Sequence, residues 1–486
     1  MIKIVRKYLP KQSKISPALT AGIWFTVCNI LQRGIQFLTT PIYTRILTSE
    51  QYGYYSVFLT WCNITLIIAA LSLPNTPYYN GMIKYKKDGY IYTSSLQLLG
   101  NVSTLIFAAI FTMLYPIIGS IIGLPYKFSV LMFVVAFFNP AFLFWSYQQR
   151  LEYKYKALII ATVINSLLMP LIGITLVIVF GFGYEGLIYG YVFSIVIVGG
   201  LFYIKNLYRG HCRGKKEYCQ YALKISAPLI PHYLSQIILG QSDRVMINYY
   251  CGAGDAGIYS LAYQVSLVMT ILTTGINNAL TPWFYRAFKK REYDKIRKTI
   301  NTLTIVVATV SGIAMLVAPE IVCILGTKEY LKAVWVIPPV VFATCFSFAY
   351  GLWGTVLFCF EKSKQIAFAS IFGALLNVLL NAMLIPKIGF IVAAYTTVTG
   401  YIGISICIYY FSKRTCASHN ICFGEIYDLH TFKLIIYGLV CITVISLALY
   451  NFNSLVRYLI IMVVLIALFF KREPLINTLR TIMLKE

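Results

Sequence analysis

The chain has 486 residues, of which 59% are hydrophobic and only 12% are charged. A soluble protein carries about 25% charged residues, so this composition excludes a water-soluble enzyme, a disordered protein and a nucleic-acid-binding module. Lysine and arginine number 41 against 16 aspartate and glutamate residues, a net charge of +25. In a chain this apolar, such an excess is typical of membrane proteins, which keep basic residues on the cytoplasmic side.

Fourteen apolar segments are long enough to be transmembrane helices, which need about 20 residues to cross the hydrocarbon core. The first carries Arg33 and is too long for the apolar part of a cleaved signal peptide, so it is interpreted as a span. The loops are short and leave no room for a separate soluble domain. The predicted spans are 18–46, 51–73, 93–119, 128–149, 157–180, 184–204, 221–249, 256–283, 299–325, 333–360, 365–386, 389–411, 433–450 and 455–470.

The basic residues alternate in density from loop to loop along the chain. If the N-terminus lies inside, 33 of the 41 lysines and arginines fall on inner segments and 5 on outer loops. Cytoplasmic loops hold the excess of lysine and arginine in membrane proteins, so this alternation predicts that both termini are cytoplasmic. The net positive charge is then explained by the membrane topology. It also gives the protein some affinity for anionic lipid headgroups.

The sequence contains an internal repeat. Gly53 and Ser56 at the start of span 2 match Gly257 and Ser260 at the start of span 8, at an offset of 204 residues. Similar offsets relate three further pairs, namely Lys86-Lys87-Asp88 with Lys290-Arg291-Glu292, Glu152 with Glu361, and Gly183 with Gly389. The offset covers six spans, and an even number predicts parallel repeats about an axis along the membrane normal.

The repeat predicts an all-α membrane protein of about 14 helices in two six-helix lobes, followed by two C-terminal helices. The N-lobe would be 1–205 and the C-lobe 206–412, and 413–486 would hold a cytoplasmic loop, spans 13 and 14 and a cytoplasmic tail. Two such lobes around a midplane cavity are the architecture of an alternating-access transporter.

Span 1 carries a polar face. Asn29, Arg33 and Gln36 recur at helical spacing and continue through Thr40 and Thr44. Arg33 lies about 22 Å along the helix, too deep for easy snorkelling to the interface. Two interpretations remain open: an anion-binding group in the cavity, or a structural arginine bonded to carbonyl groups or to a carboxylate of the same lobe.

Span 7 is the repeat counterpart of span 1 and is also polar. Pro228 and Pro231 remove backbone donors and predict a kink, which is either static or part of a conformational change. His232 could titrate near neutral pH or could simply be hydrogen-bonded. In span 8, Ser266, Thr270, Thr273, Asn277 and Thr281 would either line the cavity or join neighbouring helices.

Few carboxylates lie within the spans. Asp243 and Glu320 are the deepest and are candidates for coupling to a cation gradient, with Na⁺ or H⁺ as the ion. They could equally pair with Arg45 or Arg244, which lie at similar depth. Three arginines against two deep carboxylates favour an anionic substrate group such as phosphate. The candidate substrate-binding residues are therefore Arg33, Arg45, Arg244, Asn29, Gln36 and His232.

The chain lacks sequence motifs for catalysis, cofactors or metals. There is no nucleophile elbow, P-loop or metal-ligating pair at helical spacing. Cys416, His419 and Cys422 are spaced unlike a standard zinc site, so no metal site and no bound cofactor are predicted. A transporter is predicted rather than an enzyme. A membrane polymerase or glycosyltransferase is a weaker alternative, because such enzymes need a large outer loop.

Four segments resemble the bacterial polysaccharide-biosynthesis flippases. The segment 45–56, which reads Arg-Ile-Leu-Thr-Ser-Glu-Gln-Tyr-Gly-Tyr-Tyr-Ser, resembles the signature at the end of the family's span 1, and 255–263 resembles its second-half counterpart. The entries to spans 6 and 12, at 183–190 and 385–389, are also similar. The resemblance covers about 15–410. Val392 is a departure, since the second-half pattern usually has glycine there.

The resemblance implies a fold shared with multidrug and toxin extruders and with the lipid II flippase. It implies a substrate, an undecaprenyl-pyrophosphate-linked oligosaccharide, moved from the cytoplasmic to the periplasmic leaflet of the bacterial inner membrane. It also implies a role in O-antigen or capsule synthesis, beside the polymerase and glycosyltransferases of that route. The main alternative is a cation-coupled multidrug exporter of the same fold, which would prefer an acidic interior.

Overall fold

A computed structural model describes residues 17–211, 214–450 and 454–470. Within these ranges there are 17 α-helices. The first seven, α1 to α7, are Pro17–Ile46, Ser49–Ala69, Thr76–Lys84, Gly89–Ile122, Tyr126–Leu151, Tyr155–Ile178 and Gly183–Arg209. The remaining ten, α8 to α17, are Lys216–Cys251, Ala253–Lys289, Tyr293–Leu316, Ala318–Leu325, Ile337–Cys359, Ser363–Ile388, Val392–Ser418, Phe423–Ile426, Leu429–Leu449 and Ser454–Phe470.

Thirteen of the fourteen predicted spans each coincide with one helix and the other is divided between two helices, which confirms the all-α membrane fold. Ten of the described helices are long and apolar enough to cross a membrane by length and composition. The other four predicted spans are α1, α2, α8 and the shorter α17. The protein is therefore a multi-pass membrane protein. The basic N-terminal leader and the C-terminal tail, to which the topology prediction assigns many charges, lie outside the described residues.

Predicted span 9 is not one helix. Residues 299–325 divide into α10, which ends at Leu316, and α11, which begins at Ala318. Pro319 occupies the first turn of α11 and has no N–H to continue the hydrogen-bond ladder, which explains the break. Two predicted loops also hold short helices, α3 within 74–92 and α15 within 412–432.

The described residues pack as two compact units. Unit 1 contains the described parts of Met1–Thr39, Thr65–Ile117 and Tyr126–Ile230. Its interior holds buried aromatic side chains, among them Tyr78, Tyr92 and Phe144. Beside them Tyr218 donates to Asp88 over 2.5 Å. This bond, with the nearby Lys215 ammonium, lowers the pKa of the Asp88 carboxyl.

Unit 2 contains the described parts of Thr40–Ile64, Ile118–Pro125 and Pro231–Glu486. In it the first turns of α2 and α9 cross at very short distance. A methyl group added to Gly53 would lie 1.8 Å from the carbonyl oxygen of Ala253, and one added to Gly257 would lie 2.0 Å from that of Ser49. Only glycine permits this approach of two backbones.

The same crossing reveals the internal repeat in three dimensions. Ser260 donates a hydrogen bond to Ser56 over 2.8 Å, and the two residues are 204 positions apart. Ser49 and Ala253 are separated by the same offset, so they are equivalent residues of the repeat. Gly53 lies against Ala253, and Gly257 lies against Ser49 in the same way. Reciprocal contacts of this kind define a two-fold symmetric interface. Residues that the repeat matches in the sequence are therefore also in contact in the fold.

Neighbouring contacts extend the α2–α9 crossing. Thr44 donates to the carbonyl of Leu325 over 2.5 Å, and the Ser49 N–H donates to the Glu329 carboxylate over 2.9 Å. Gln264 on α9 donates to the Tyr52 hydroxyl over 3.2 Å. The corner between α1 and α2 is therefore joined by polar bonds to the segment 325–329 and to α9.

Candidate functional site

Asp243 on α8 lies at the centre of a buried polar network in unit 2. Its side chain is 1% exposed. One carboxylate oxygen accepts hydrogen bonds from Tyr259 at 2.6 Å and from Thr397 at 2.7 Å. The other accepts from the Asn381 amide at 2.7 Å. Helices α8, α9, α13 and α14 thus meet at this carboxylate.

A second layer of side chains supports the carboxylate. Asn381 donates to Asn377 over 3.3 Å and accepts a short hydrogen bond from Thr396. Asn377 in turn approaches Thr396 and Thr397 at 3.5 and 3.4 Å. All of these residues are buried. The network thus surrounds one carboxylate with hydroxyl and amide groups that donate hydrogen bonds to it.

The Asp243 carboxylate forms no salt bridge within the described residues, although the charge of the neighbouring Arg244 interacts favourably with it. In the described part of the chain no lysine or arginine lies within ion-pair distance of it. A buried charge is costly unless it is hydrogen-bonded, and here Tyr259, Thr397 and Asn381 supply three hydrogen bonds to the carboxylate.

Sequence reasoning selected Asp243 but missed its partners. The missed residues are Tyr259, Asn377, Asn381, Thr396 and Thr397. Asn377 and Asn381 are four residues apart in an apolar span, so they share one helical face. That spacing was the available signal, because amides inside a span are costly and usually face a polar interior.

Arg244 and Arg45 do not pair with carboxylates. The Arg244 guanidinium lies over the ring of Tyr263, 4.6 Å from its centroid, with a long bond to the Gly240 carbonyl. Arg45 donates to the carbonyls of Pro41 and Ile324 at 2.9 and 3.1 Å. A cation is favourable there, because Ile324 lies in the last turn of α11, where carbonyl groups are unpaired.

Glu320 forms an ion pair with Arg457. Arg457 on α17 contacts its two oxygens at 2.9 and 3.0 Å, and Tyr458 donates a third bond. Arg457 also donates to the carbonyl of Leu316, which the break before α11 exposes. Glu320 therefore pairs with Arg457 and not with Arg45 or Arg244. Glu320 joins α11 to α17, and its charge is already balanced.

The polar face of α1 in unit 1 carries Asn29, Arg33 and Gln36. Asn29 and Arg33 are half-buried and Gln36 is exposed. Among the described residues, no acceptor forms a hydrogen bond or ion pair with the Arg33 guanidinium. His232, in unit 2, is half-buried, and its Nδ1 atom has no hydrogen-bond partner in the part that the structure describes.

The sequence matches the model of a protein family described as polysaccharide biosynthesis protein over residues 18–288. The chain belongs to this family. This family assignment agrees with the resemblance found in the four sequence segments. A second model, MatE, matches residues 228–383.

The fold of this polysaccharide biosynthesis family member is shared with solved transporters. The lipid II flippase MurJ in an inward closed conformation aligns over 94% of this chain and 99% of its own, with a TM-score of 0.67 and 14% identity. An inward-facing multidrug resistance MATE family transporter of the MOP superfamily aligns over 86% and 99%, with a TM-score of 0.59 and 15% identity. At these identities the similarity establishes the fold.

Two curated proteins of Haemophilus influenzae are similar in sequence. Lsg locus putative protein 1 is 26% identical over 204 residues, 40% of this chain and 49% of that protein. An uncharacterized membrane protein is 24% identical over 232 residues, 46% of this chain and 56% of that protein. The matched region spans about half the length of each of these relatives.

Proposed function

We propose that the protein is a flippase for undecaprenyl-pyrophosphate-linked oligosaccharides. It would move repeat units of O-antigen or capsule from the cytoplasmic to the periplasmic leaflet by alternating access. The observation that carries this proposal is the family match over more than half of the chain, in a fold shared with a lipid II flippase. The two-lobe division at 205 and 412 and the cytoplasmic termini are part of the proposal.

Arg33 supports an anionic substrate. Its guanidinium is half-buried in α1 and makes no ion pair within the described residues. A buried cation without a partner is costly, whereas phosphate satisfies a guanidinium through two parallel hydrogen bonds. The pyrophosphate of a lipid-linked sugar would supply that partner on each transport cycle.

Asp243 supports coupling to an ion gradient. A Na⁺ ion or a proton would neutralise the carboxylate, and its release would leave a charge that favours a different conformation. Glu320 is left out of this role, because Arg457 already balances its charge. No bound cofactor enters the mechanism. The proposed setting is the bacterial inner membrane, beside the polymerase and glycosyltransferases of the same polysaccharide.

Deletion of the gene in its source bacterium tests the proposed function. We expect loss of a surface polysaccharide and accumulation of undecaprenyl-linked repeat units on the cytoplasmic leaflet, measured by mass spectrometry and by accessibility to an added glycosidase.

The MatE match favours a second candidate, a multidrug exporter. Unchanged polysaccharide with increased sensitivity to cationic drugs would replace the flippase by that exporter.

Substitution of Arg33 should impair export. Arg33→Ala removes the bidentate contact to phosphate, and a charged hydrogen bond of this kind corresponds to roughly ten- to hundred-fold in affinity. Arg33→Lys should retain part of the activity, because lysine keeps the charge but loses the planar fork. The measurement is surface polysaccharide at matched protein levels in membranes.

The control for Arg33 is Lys154→Ala. Lys154 is an exposed residue between α5 and α6 and pairs with Glu152, so this variant also removes one positive charge. We expect it to export normally. Normal export by Arg33→Ala would show that the arginine does not bind the substrate.

A further inference from the structure

Unit 2 contains a cavity that neither the Asp243 network nor the proposed mechanism uses. It has a volume of about 260 Å³ and lies between α9 and α12, with Tyr401 of α14 at one side. Binding pockets for small molecules are commonly about 300–1,000 Å³, so this cavity is slightly smaller than such a pocket and would take only a small part of an oligosaccharide.

None of the described residues that line the cavity is charged, although the chain as a whole is strongly basic. Its polar groups are hydroxyls on α9 and α12, together with the amide of Asn277. An anionic headgroup or a cationic drug would find no counter-charge on these walls. The lining therefore favours a neutral, polar ligand.

The hydroxyl groups on α9 are arranged as hydrogen-bond acceptors. Ser266 donates to the carbonyl of Tyr263 over 2.7 Å, and Thr270 donates to that of Ser266 over 2.8 Å. Thr273 donates in the same way to Met269 over 3.0 Å. Each hydroxyl has one proton, which these bonds use, so its oxygen retains lone pairs for a ligand donor. A ligand with many O–H groups matches this wall.

The cavity is also lined by aromatic rings, which are apolar. Tyr350 and Tyr401 lie nearly parallel, with their ring centroids 6.2 Å apart and an angle of 14° between planes. Tyr263 adds a third ring to the lining. An aromatic face is electron-rich, so it attracts the weakly positive C–H groups of a pyranose face. The acceptor oxygens on α9 therefore match the O–H groups of a sugar, and the aromatic faces match its C–H groups.

We propose that this cavity binds an uncharged sugar residue of the translocated oligosaccharide. This inference rests on the proposed flippase function and adds the substrate class at one subsite. The cavity is also connected to the ion site. Tyr263 on its wall contacts Tyr259, with centroids 5.3 Å apart, and Tyr259 donates to Asp243. A change of charge at the carboxylate can thus reach the sugar subsite through two adjacent rings.

The first test removes a ring from the wall. Tyr401→Ala should lower surface polysaccharide by about three- to ten-fold, the value of one aromatic contact, whereas Tyr401→Phe should stay close to wild type. The matched control is Tyr395→Ala, because Tyr395 lies on the same helix with its side chain 44% exposed and away from the cavity. Equal export by Tyr401→Ala and Tyr395→Ala would overturn the proposal.

The second test determines the charge of the ligand. Thr274 lines the cavity, and Thr274→Lys, Thr274→Glu and Thr274→Gln introduce side chains of similar length with different charges. For an uncharged sugar, Lys and Glu should both lower export more than Gln does, because a bound neutral ligand would remove water from the charge without giving it a counter-charge. Export retained by Lys and lost with Glu would indicate an anionic ligand and would overturn the proposal.

The deletion strain separates this inference from the proposed function. If deletion leaves the polysaccharide unchanged, the flippase function itself is wrong. If deletion abolishes the polysaccharide while the Tyr401 and Thr274 variants all export normally, the function stands and the sugar subsite is wrong. A repeat unit composed only of acidic sugars would also overturn the subsite.

Discussion

The double variant Ser56→Cys/Ser260→Cys should stop export when its two thiols are oxidised, and a reductant should restore it. The native hydroxyl oxygens are 2.8 Å apart at the crossing of α2 and α9. Sulfur atoms in a disulfide are about 2.05 Å apart, so two cysteines at these positions are within bonding reach. The bond would hold the two helices in the closed contact described above.

Export should stop because alternating access requires this contact to open once in each cycle. In the proposed topology the first turns of α2 and α9 lie at the periplasmic side, so the disulfide would block release there. The measurement is surface polysaccharide after treatment of cells with an oxidant and then with a reductant. Ser56→Cys and Ser260→Cys alone are the controls and should export under both conditions.

A cross-linked protein that still exports would contradict this prediction. Cross-linking itself is measured separately, from the altered mobility of the protein after proteolysis between the two positions. Such a result would mean that α2 and α9 stay in contact throughout transport. The fixed crossing would then be a structural axis, and another pair of helices would form the gate.

Asp243→Asn should reduce export to the level of the deletion strain. Asparagine preserves the size of the side chain and its oxygen can still accept from Tyr259 and Thr397, but its NH2 group loses the bond from Asn381, and it cannot hold a cation or a proton in place of a charge. The driving ion would then lose its site. Asp294→Asn is the control, because Asp294 is an exposed carboxylate at the start of α10 and should export normally.

A binding measurement separates a lost ion site from a damaged fold. An ion that binds only the folded protein stabilises it in proportion to the logarithm of its concentration. We therefore expect the Tm of the purified protein in detergent to rise when NaCl replaces choline chloride, and this rise should vanish in Asp243→Asn. A rise on acidification without a sodium effect would identify the proton as the ion. Wild-type export by Asp243→Asn would exclude the carboxylate from coupling.

The repeat accounts for the α2–α9 crossing but not for the Asp243 network. Gly53 and Gly257 are equivalent positions, and their mutual contact needs both helices to lack a side chain there. The Asp243 network has no such twin in unit 1: residue 39, at the same offset from it, is Thr39, which bonds to a carbonyl of its own helix. The two halves therefore share the crossing but differ in their polar interiors.

The sequence by itself determined the membrane class, the helices and the repeat. Hydrophobic length and the spacing of lysine and arginine are local properties, and burial of the backbone in lipid leaves helices as the one solution for such segments. The repeat could be recognised in the sequence because the crossing of α2 and α9 requires glycine and serine at equivalent positions of both halves. Arg33 and Asp243 were visible because charges within apolar segments are rare.

The tertiary structure decided which polar residues meet. Glu320 and Asp243 look alike in the sequence, yet Arg457 reaches one across 137 positions, whereas hydroxyls and amides surround the other. The sugar-binding walls likewise combine residues of α9, α12 and α14, whose hydroxyls and rings could equally have packed against neighbouring helices. Helix packing determines which residues far apart in the chain become partners. The periodicity of a single helix shows where its polar face lies but does not show what that face contacts.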